Sequence, residues 1–157
     1  SGPVTGPLED LSWMVGDWIG ENDGYTVTCS ASWSENSHFL MRHFTIEQAG
    51  TVVLTNSQRI GWDPQTERIR SWQFDSDGSI VEGRWHPEGD AWIVRTSGVM
   101  QDGTELSALN FWVPEGDDHF VLKTSHAHVG DGELDDAVIE FHRADAGGDA
   151  AAQPSGN

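Results

Sequence analysis

Basic residues are scarce in this chain: eight Lys and Arg stand against 26 Asp and Glu, for a formal net charge of −18. Nucleic acids and anionic membrane surfaces are held by a basic stripe, so both are excluded as partners. The bland reading of the charge is solubility; capture of a cation or a basic partner is the sharper one. A single cysteine, Cys29, excludes an intramolecular disulfide. In "YTVTCSASWS" it shares a strand face with Tyr25, Val27, Ala31 and Trp33, which marks a buried structural thiol rather than a nucleophile. No apolar run approaches membrane-spanning length and no signal-peptide pattern is visible. The chain opens on Ser1, compatible with processing, a cloning scar or excision from a longer protein, and nothing in it fixes a compartment.

Catalytic signatures are missing as well. There is no Gly-x-Ser-x-Gly elbow and no phosphate-cradling glycine loop. Carboxylates are too plentiful for any pair to stand out as an acid–base dyad, so no catalytic residue is nominated and the chain leans away from being an enzyme.

What the sequence has is tryptophan and alternation. At 157 residues it is long enough to bury about two thirds of its unfolded surface. Its eight tryptophans are spread over nearly every strand, which suits core packing and rim closure in a barrel better than a carbohydrate platform. "SGPVTGP" (1–7) reads as a flexible lead, and "LEDLSWMV" (8–15) as a short helix or helical turn. From Gly16 onward the apolar period is two. Strands are expected near 16–21, 25–34, 38–48, 51–62, 67–75, 79–86, 91–100, 105–113, 119–129 and 137–143. Their connections, such as "END", "AG", "DPQT", "PEGD" and "QDG", are turn-sized. A long meander closes on itself to remove its edges. The expected fold is therefore all-β: an up-and-down antiparallel β-barrel of about ten strands with a short N-terminal helix, over 8–144, ahead of a disordered tail at 145–157.

"FDSDGSIVEGRW" (74–85) has calcium-loop spacing, but Gly78 follows Asp77 directly and both flanks are strand-like, unlike an EF-hand. Asp77-Gly78 instead predicts a two-residue type I′ hairpin turn. That register sets Trp72 opposite Gly83 and Arg70 opposite Trp85. One face then carries Arg70, Trp72, Phe74, Val81 and Trp85; the other carries Ser71, Gln73, Asp75, Ile80, Glu82, Arg84 and His86. Alternation does not say which face lines the barrel. Ligand-carrying lumens hold a few polar anchors, which makes Gln73, Glu82 and Arg84 candidate ligand contacts, together with Trp72, Trp85 and His43. A salt-bridged outer face is the alternative.

Several stretches resemble a bacterial family of calycin-like β-barrels catalogued as a domain of unknown function. They are "LSWMVGDWIGE", "ASWSENSHFLMRHF", "RIGWDPQTERIRSWQFDSDGSIVEGRW" and the closing "AVIEFHRA". The family's opening falls on Leu11 to Trp18, its Gly-aromatic-Asp turn on Gly61, Trp62 and Asp63, and its Trp-x-x-Asp-Ser segment on Trp72, Asp75 and Ser76, with the strand glycine at Gly83. The resemblance spans roughly 8–144. A similar module looks like the second half of two-domain bacterial proteins whose first half is nuclear-transport-factor-2-like. The resemblance implies a lipocalin-like barrel, without catalytic residues to carry over. By analogy with lipocalins, fatty-acid-binding proteins and nitrobindin-like barrels, it implies a small apolar or amphipathic ligand in the lumen.

A second candidate site lies in "KTSHAHVGDGELDDAVIEFHRA". His126 and His128 project from one strand face, and a return through 130–136 would bring His126 near Glu140 and His142 near Thr124. Such a set, His126, His128, Glu140 and His142, could hold zinc or non-haem iron. The fragment also matches His-x-His-x4-Glu of cupins through Glu133, without the surrounding glycines. For haem, His43, His119, His126 and His142 are formal proximal ligands, but the nitrobindin-type Gly-rich opening ending in Tyr-Pro is absent. No cofactor is named by the sequence. Three functions follow: a lumen-binding module, a metal-dependent enzyme or metal-binding protein, and a filled accessory barrel with a homodimer mate or a neighbouring domain as partner.

Overall fold

The computed structural model describes residues 6–144; the expectations for most of the lead and for the tail lie outside the described residues. A short 3₁₀ helix, η1 (Glu9–Met14), precedes β1 (Gly16–Asn22), β2 (Tyr25–Trp33), β3 (Phe39–Gln48), β4 (Thr51–Asp63) and β5 (Arg68–Asp75). Then come β6 (Ile80–Glu88), β7 (Ala91–Val99), β8 (Glu105–Pro114), β9 (His119–Val129), the two-residue β10 (Gly132–Glu133) and β11 (Ala137–Arg143). Consecutive strands pair antiparallel from β1 to β9, and β11 slots between β9 and β1. The result is a closed ten-strand antiparallel barrel with β10 as a small outrigger on β9. The all-β, up-and-down expectation with its short N-terminal helix holds.

One end of the barrel is plugged. Leu8, Leu11 and Met14 of the η1 segment are buried against Trp18, Leu40 and Ile60. Phe120 sits at the centre of this end, edge-on to Trp13 and Trp18 and stacked on Phe141 at 4.7 Å. The indole of Trp18 donates to the Met14 carbonyl (2.9 Å), which ties η1 to β1. Arg143, at the end of β11, closes the seam: its guanidinium donates to the carbonyls of Val15 (2.5 Å), Trp13 (3.5 Å) and Asp117 (3.0 Å) and lies 4.0 Å from the Trp18 ring centre.

The turn after β5 corrects the expected register. The Gly78 amide donates to the Asp75 carbonyl and the Asp75 amide to the Ser79 carbonyl, both at 2.9 Å. Gly78 has φ +90°, whereas Asp77 is not in the left-handed region. The loop is therefore three residues, Ser76 to Gly78, with the glycine alone taking positive φ, rather than a two-residue type I′ turn. Ser71 then opposes Gly83, Trp72 opposes Glu82 and Ile69 opposes Trp85. A one-residue slip moves every affected side chain to the opposite face of the sheet. The aromatic cover expected for Trp72 over Gly83 is found instead between Phe39 and Gly61, which pair across β3 and β4.

The acidic spacing around Asp77 is turn chemistry. Asp77 Oδ1 accepts from the Ser79 amide and, in the matching loop after β7, Asp102 Oδ1 accepts from the Thr104 amide, each at 2.9 Å. Those backbone hydrogen bonds hold both carboxyls below their ordinary range. Gln101 Nε2 donates to the Gly78 carbonyl (2.9 Å), so the two loops brace one another at the open end.

Candidate functional site

Alternation along β3 sends Leu40, Arg42, Phe44 and Ile46 inward; β4 contributes Asn56 and Gln58, and β5 contributes Gln73. Above the plug, Phe44, Ile46, Asn56, Gln58 and Gln73 help to line a cavity of about 190 Å3. Its walls are mostly apolar: Val27, Phe44, Trp85, Trp112, Leu122 and Phe141. Gln73, Thr96 and Asn110 also border a second space of about 260 Å3 towards the open end, where Asp75, Leu106 and Leu134 stand. Gln73, Thr96 and Asn110 thus stand between the barrel interior and the vestibule.

Beneath the aromatic floor lies the unusual group. Arg42 is fully buried, and no salt bridge among the described residues involves it. Its guanidinium carbon is 4.3 Å from the Trp112 ring centre, 5.1 Å from that of Phe44 and 5.8 Å from that of Trp85. Cation–π attraction replaces part of the lost hydration. Nε donates to Gln58 Oε1 (2.7 Å) and Nη1 points at the Met14 sulfur (3.6 Å), but buried Nη2 has no partner among the described residues. Burial pushes the Arg42 pKa down to about 10, which leaves the side chain charged at neutral pH. The nearby Cys29 thiol is pushed up to about 11 by burial, so it stays protonated.

A side-chain chain leads from Arg42 to the mouth. Gln58 Nε2 donates to Gln73 Oε1 (3.1 Å), and Gln73 Nε2 donates to Asp75 Oδ1 (2.9 Å). Burial raises the Asp75 pKa; the Gln73 hydrogen bond opposes this and the Asp77 charge adds to it. The lumen is consequently polarised, positive under the floor and negative at the rim. Two residues of this lining each hold a buried polar atom that has no hydrogen-bond partner among the described residues: Trp85 Nε1, a donor, and Asn56 Oδ1, an acceptor.

Of the six residues expected to contact a ligand, Gln73 and Trp85 line the cavity. Trp72, Glu82 and Arg84 belong to the outer wall, because the three-residue loop shifts their pairing partners by one. There Arg70 bridges Glu82 (2.5 Å) and Asp63 (3.4 Å) and packs 5.6 Å from the Trp72 ring, while Glu82 and Arg84 border a surface groove with His128. His43 is exposed, its strand neighbours Arg42 and Phe44 taking the inner side. The residue missed entirely is Arg42.

The histidine set is also rearranged. Ala137 opposes Thr124, so β11 starts level with residue 124, and His126 and His128 lie beyond its reach. A bulge opposite Ala108 puts His126 at φ +53° and leaves it exposed, its ring near Ser125 Oγ (3.2 Å). His142 opposes His119, and Glu140 opposes Val121, instead of the expected approaches to Thr124 and His126. His119, Glu140 and His142 are the group that converges.

No family model matches the chain, and no curated protein matches it either. Among the described residues, no helix is long and apolar enough to cross a membrane.

Proposed function

We propose that the barrel is a binding module for a small, largely apolar molecule that carries one anionic or strongly hydrogen-bond-accepting end. The observation that carries this reading is the largely apolar cavity of about 190 Å3, with Asn56, Gln73 and Asn110 among its lining, set above the Arg42 cation, which no salt bridge among the described residues neutralises. An engineered apolar cavity of about 150 Å3 admits benzene. The deep cavity therefore suits one ring with a few substituent atoms, or the end of a longer chain whose remainder fills the vestibule below Leu134. In a low-dielectric interior the Arg42 charge favours a negative or electron-rich end directed to the floor. Asp75 at the rim disfavours the reverse orientation. This reading agrees with the ligand class that the calycin-like resemblance implies, and membership of that family is part of the same proposal.

Titration with benzoate and with the neutral isostere benzamide, followed by fluorescence of Trp85 and Trp112, tests the reading. Saturable quenching by benzoate, weaker for benzamide and abolished by Thr96→Trp, which fills the cavity, is the expected result. Quenching that survives Thr96→Trp would place the probe elsewhere and remove the basis for a lumen site.

A further inference from the structure

We propose that the outer wall near the plugged end carries a site for a borderline divalent transition ion of the Zn2+ class, formed by His119, Glu140 and His142 and oriented by Glu115. It is separate from the lumen: Phe120 and Phe141 point inward from the same two strands and are buried, while Glu140 and His142 are exposed. The β9–β11 pairing sets His119 directly across from His142, with Glu140 two residues along the same face of β11. The two imidazoles are parallel to within 3° with centres 4.5 Å apart, and one ligand atom from each of the three residues lies within 4.8 Å of the others.

The decisive geometry is at His119. Its Nδ1 is 3.3 Å from Glu115 Oε1, and its Nε2 is 3.3 Å from Glu140 Oε1. If Nδ1–H is given to Glu115, Nε2 presents a lone pair to a second carboxylate. Nε2 is shut off from solvent and makes no hydrogen bond among the described residues. A lone pair facing a carboxylate at that separation is repulsive unless a cation sits between them, and the choice is a proton or a metal ion. The spacing suits the metal. Nitrogen and oxygen ligands each ~2.0–2.1 Å from a tetrahedral ion are ~3.3 Å apart. A carboxylate on the far imidazole nitrogen is the usual device for fixing the tautomer and aim of a ligating histidine, and Glu115 stands in that position. His142 completes the set by rotation of an exposed side chain, which leaves one position for water.

Charge and chemistry favour the same class of ion. The neighbouring Arg143 guanidinium is turned onto the carbonyls of Val15 and Trp13 and bridges neither Glu115 nor Glu140. Two imidazoles with carboxylate select Zn2+, Ni2+ or Cu2+ over Ca2+ and Mg2+, which take oxygen ligands.

Untagged protein stripped with chelator and titrated with Zn2+ by calorimetry, and with Co2+ by visible absorption, tests the site. The expected result is one ion per chain, the absorption of a four-coordinate Co2+ complex, and no response to Mg2+. His119→Gln, His142→Gln and Glu140→Gln should each weaken Zn2+ binding at least tenfold, and Glu115→Gln should weaken it less while keeping the 1:1 stoichiometry. His126→Gln and His128→Gln should change nothing. All six positions are at least partly exposed, and circular dichroism checks that each variant retains the parent fold. Binding that is absent at submillimolar Zn2+, that persists in His119→Gln, or that is lost in His128→Gln instead overturns the assignment.

Discussion

Arg42 and Trp112 are stacked inside the barrel, guanidinium carbon to ring centre 4.3 Å, with no carboxylate bridged to the arginine among the described residues. A buried charge without a counter-ion costs stability that aromatic rings and one amide only partly offset. Arg42→Met keeps the volume and removes the charge. It is expected to match or exceed the parent's stability in urea unfolding, while affinity for benzoate falls at least tenfold. Loss of several kcal/mol of stability in Arg42→Met would show that the cation is primarily a packing element.

Asp75 is the complementary case at the mouth. Its carboxyl titrates above the ordinary range because burial disfavours the ionised form. With the folded pKa raised above the unfolded one, the contribution to stability is present below the unfolded pKa and is lost as pH rises through the folded value. Asp75→Asn, which can still accept from Gln73, should therefore be more stable than the parent at pH 7. The difference should vanish near pH 3. Melting temperatures of both proteins across that range decide it.

Cys29 makes a prediction on the alkaline side. Its pKa is pushed up to about 11 by burial, with the Arg42 charge pulling the other way. An acid raised in the fold stabilises below the unfolded pKa of about 9 and loses that contribution as pH climbs through 11, up to about 3 kcal/mol in all. Native protein at pH 8 should resist alkylation by iodoacetamide and react fully in urea, as intact mass will report. Cys29→Ala should flatten the fall in stability above pH 9.

How far the sequence announced all this depends on the element. Strand positions and the meander were legible because period-two alternation and glycine-bearing turns mark them locally. The side of β3 on which Arg42 falls was equally open to reading: Leu40, Phe44 and Ile46 share its parity, and only the habit of placing charge outside hid it. The β5–β6 register was less accessible. An Asp-Gly pair fits a two-residue or a three-residue loop, and a difference of one residue decided whether Glu82 and Arg84 faced ligand or solvent. His119 meeting His142 depends on how 130–136 returns the chain, a long-range outcome with no local signal.

Glycines provide a test of packing independent of function. An added Cβ at Gly98 would collide with the Ile80 carbonyl and lie 2.9 Å from the Val81 Cα, backbone atoms that cannot step aside. At Gly61 the obstacle is the Phe39 ring, 2.6 Å away, which can swing outward. Gly98→Ala should cost about 1–3 kcal/mol in urea unfolding, and Gly61→Ala should cost less. Equal losses would mean that the Phe39 ring is as fixed as the backbone.

Arg143 clasps the Trp13 and Val15 carbonyls at the end of η1, and Ala144 N donates to the Asp17 carbonyl at 2.8 Å. The chain therefore enters and leaves the barrel at one point on its base, like a cup on a single stem. Joining the two ends by a short peptide and cutting at the rim loops would leave the lumen's lining in place.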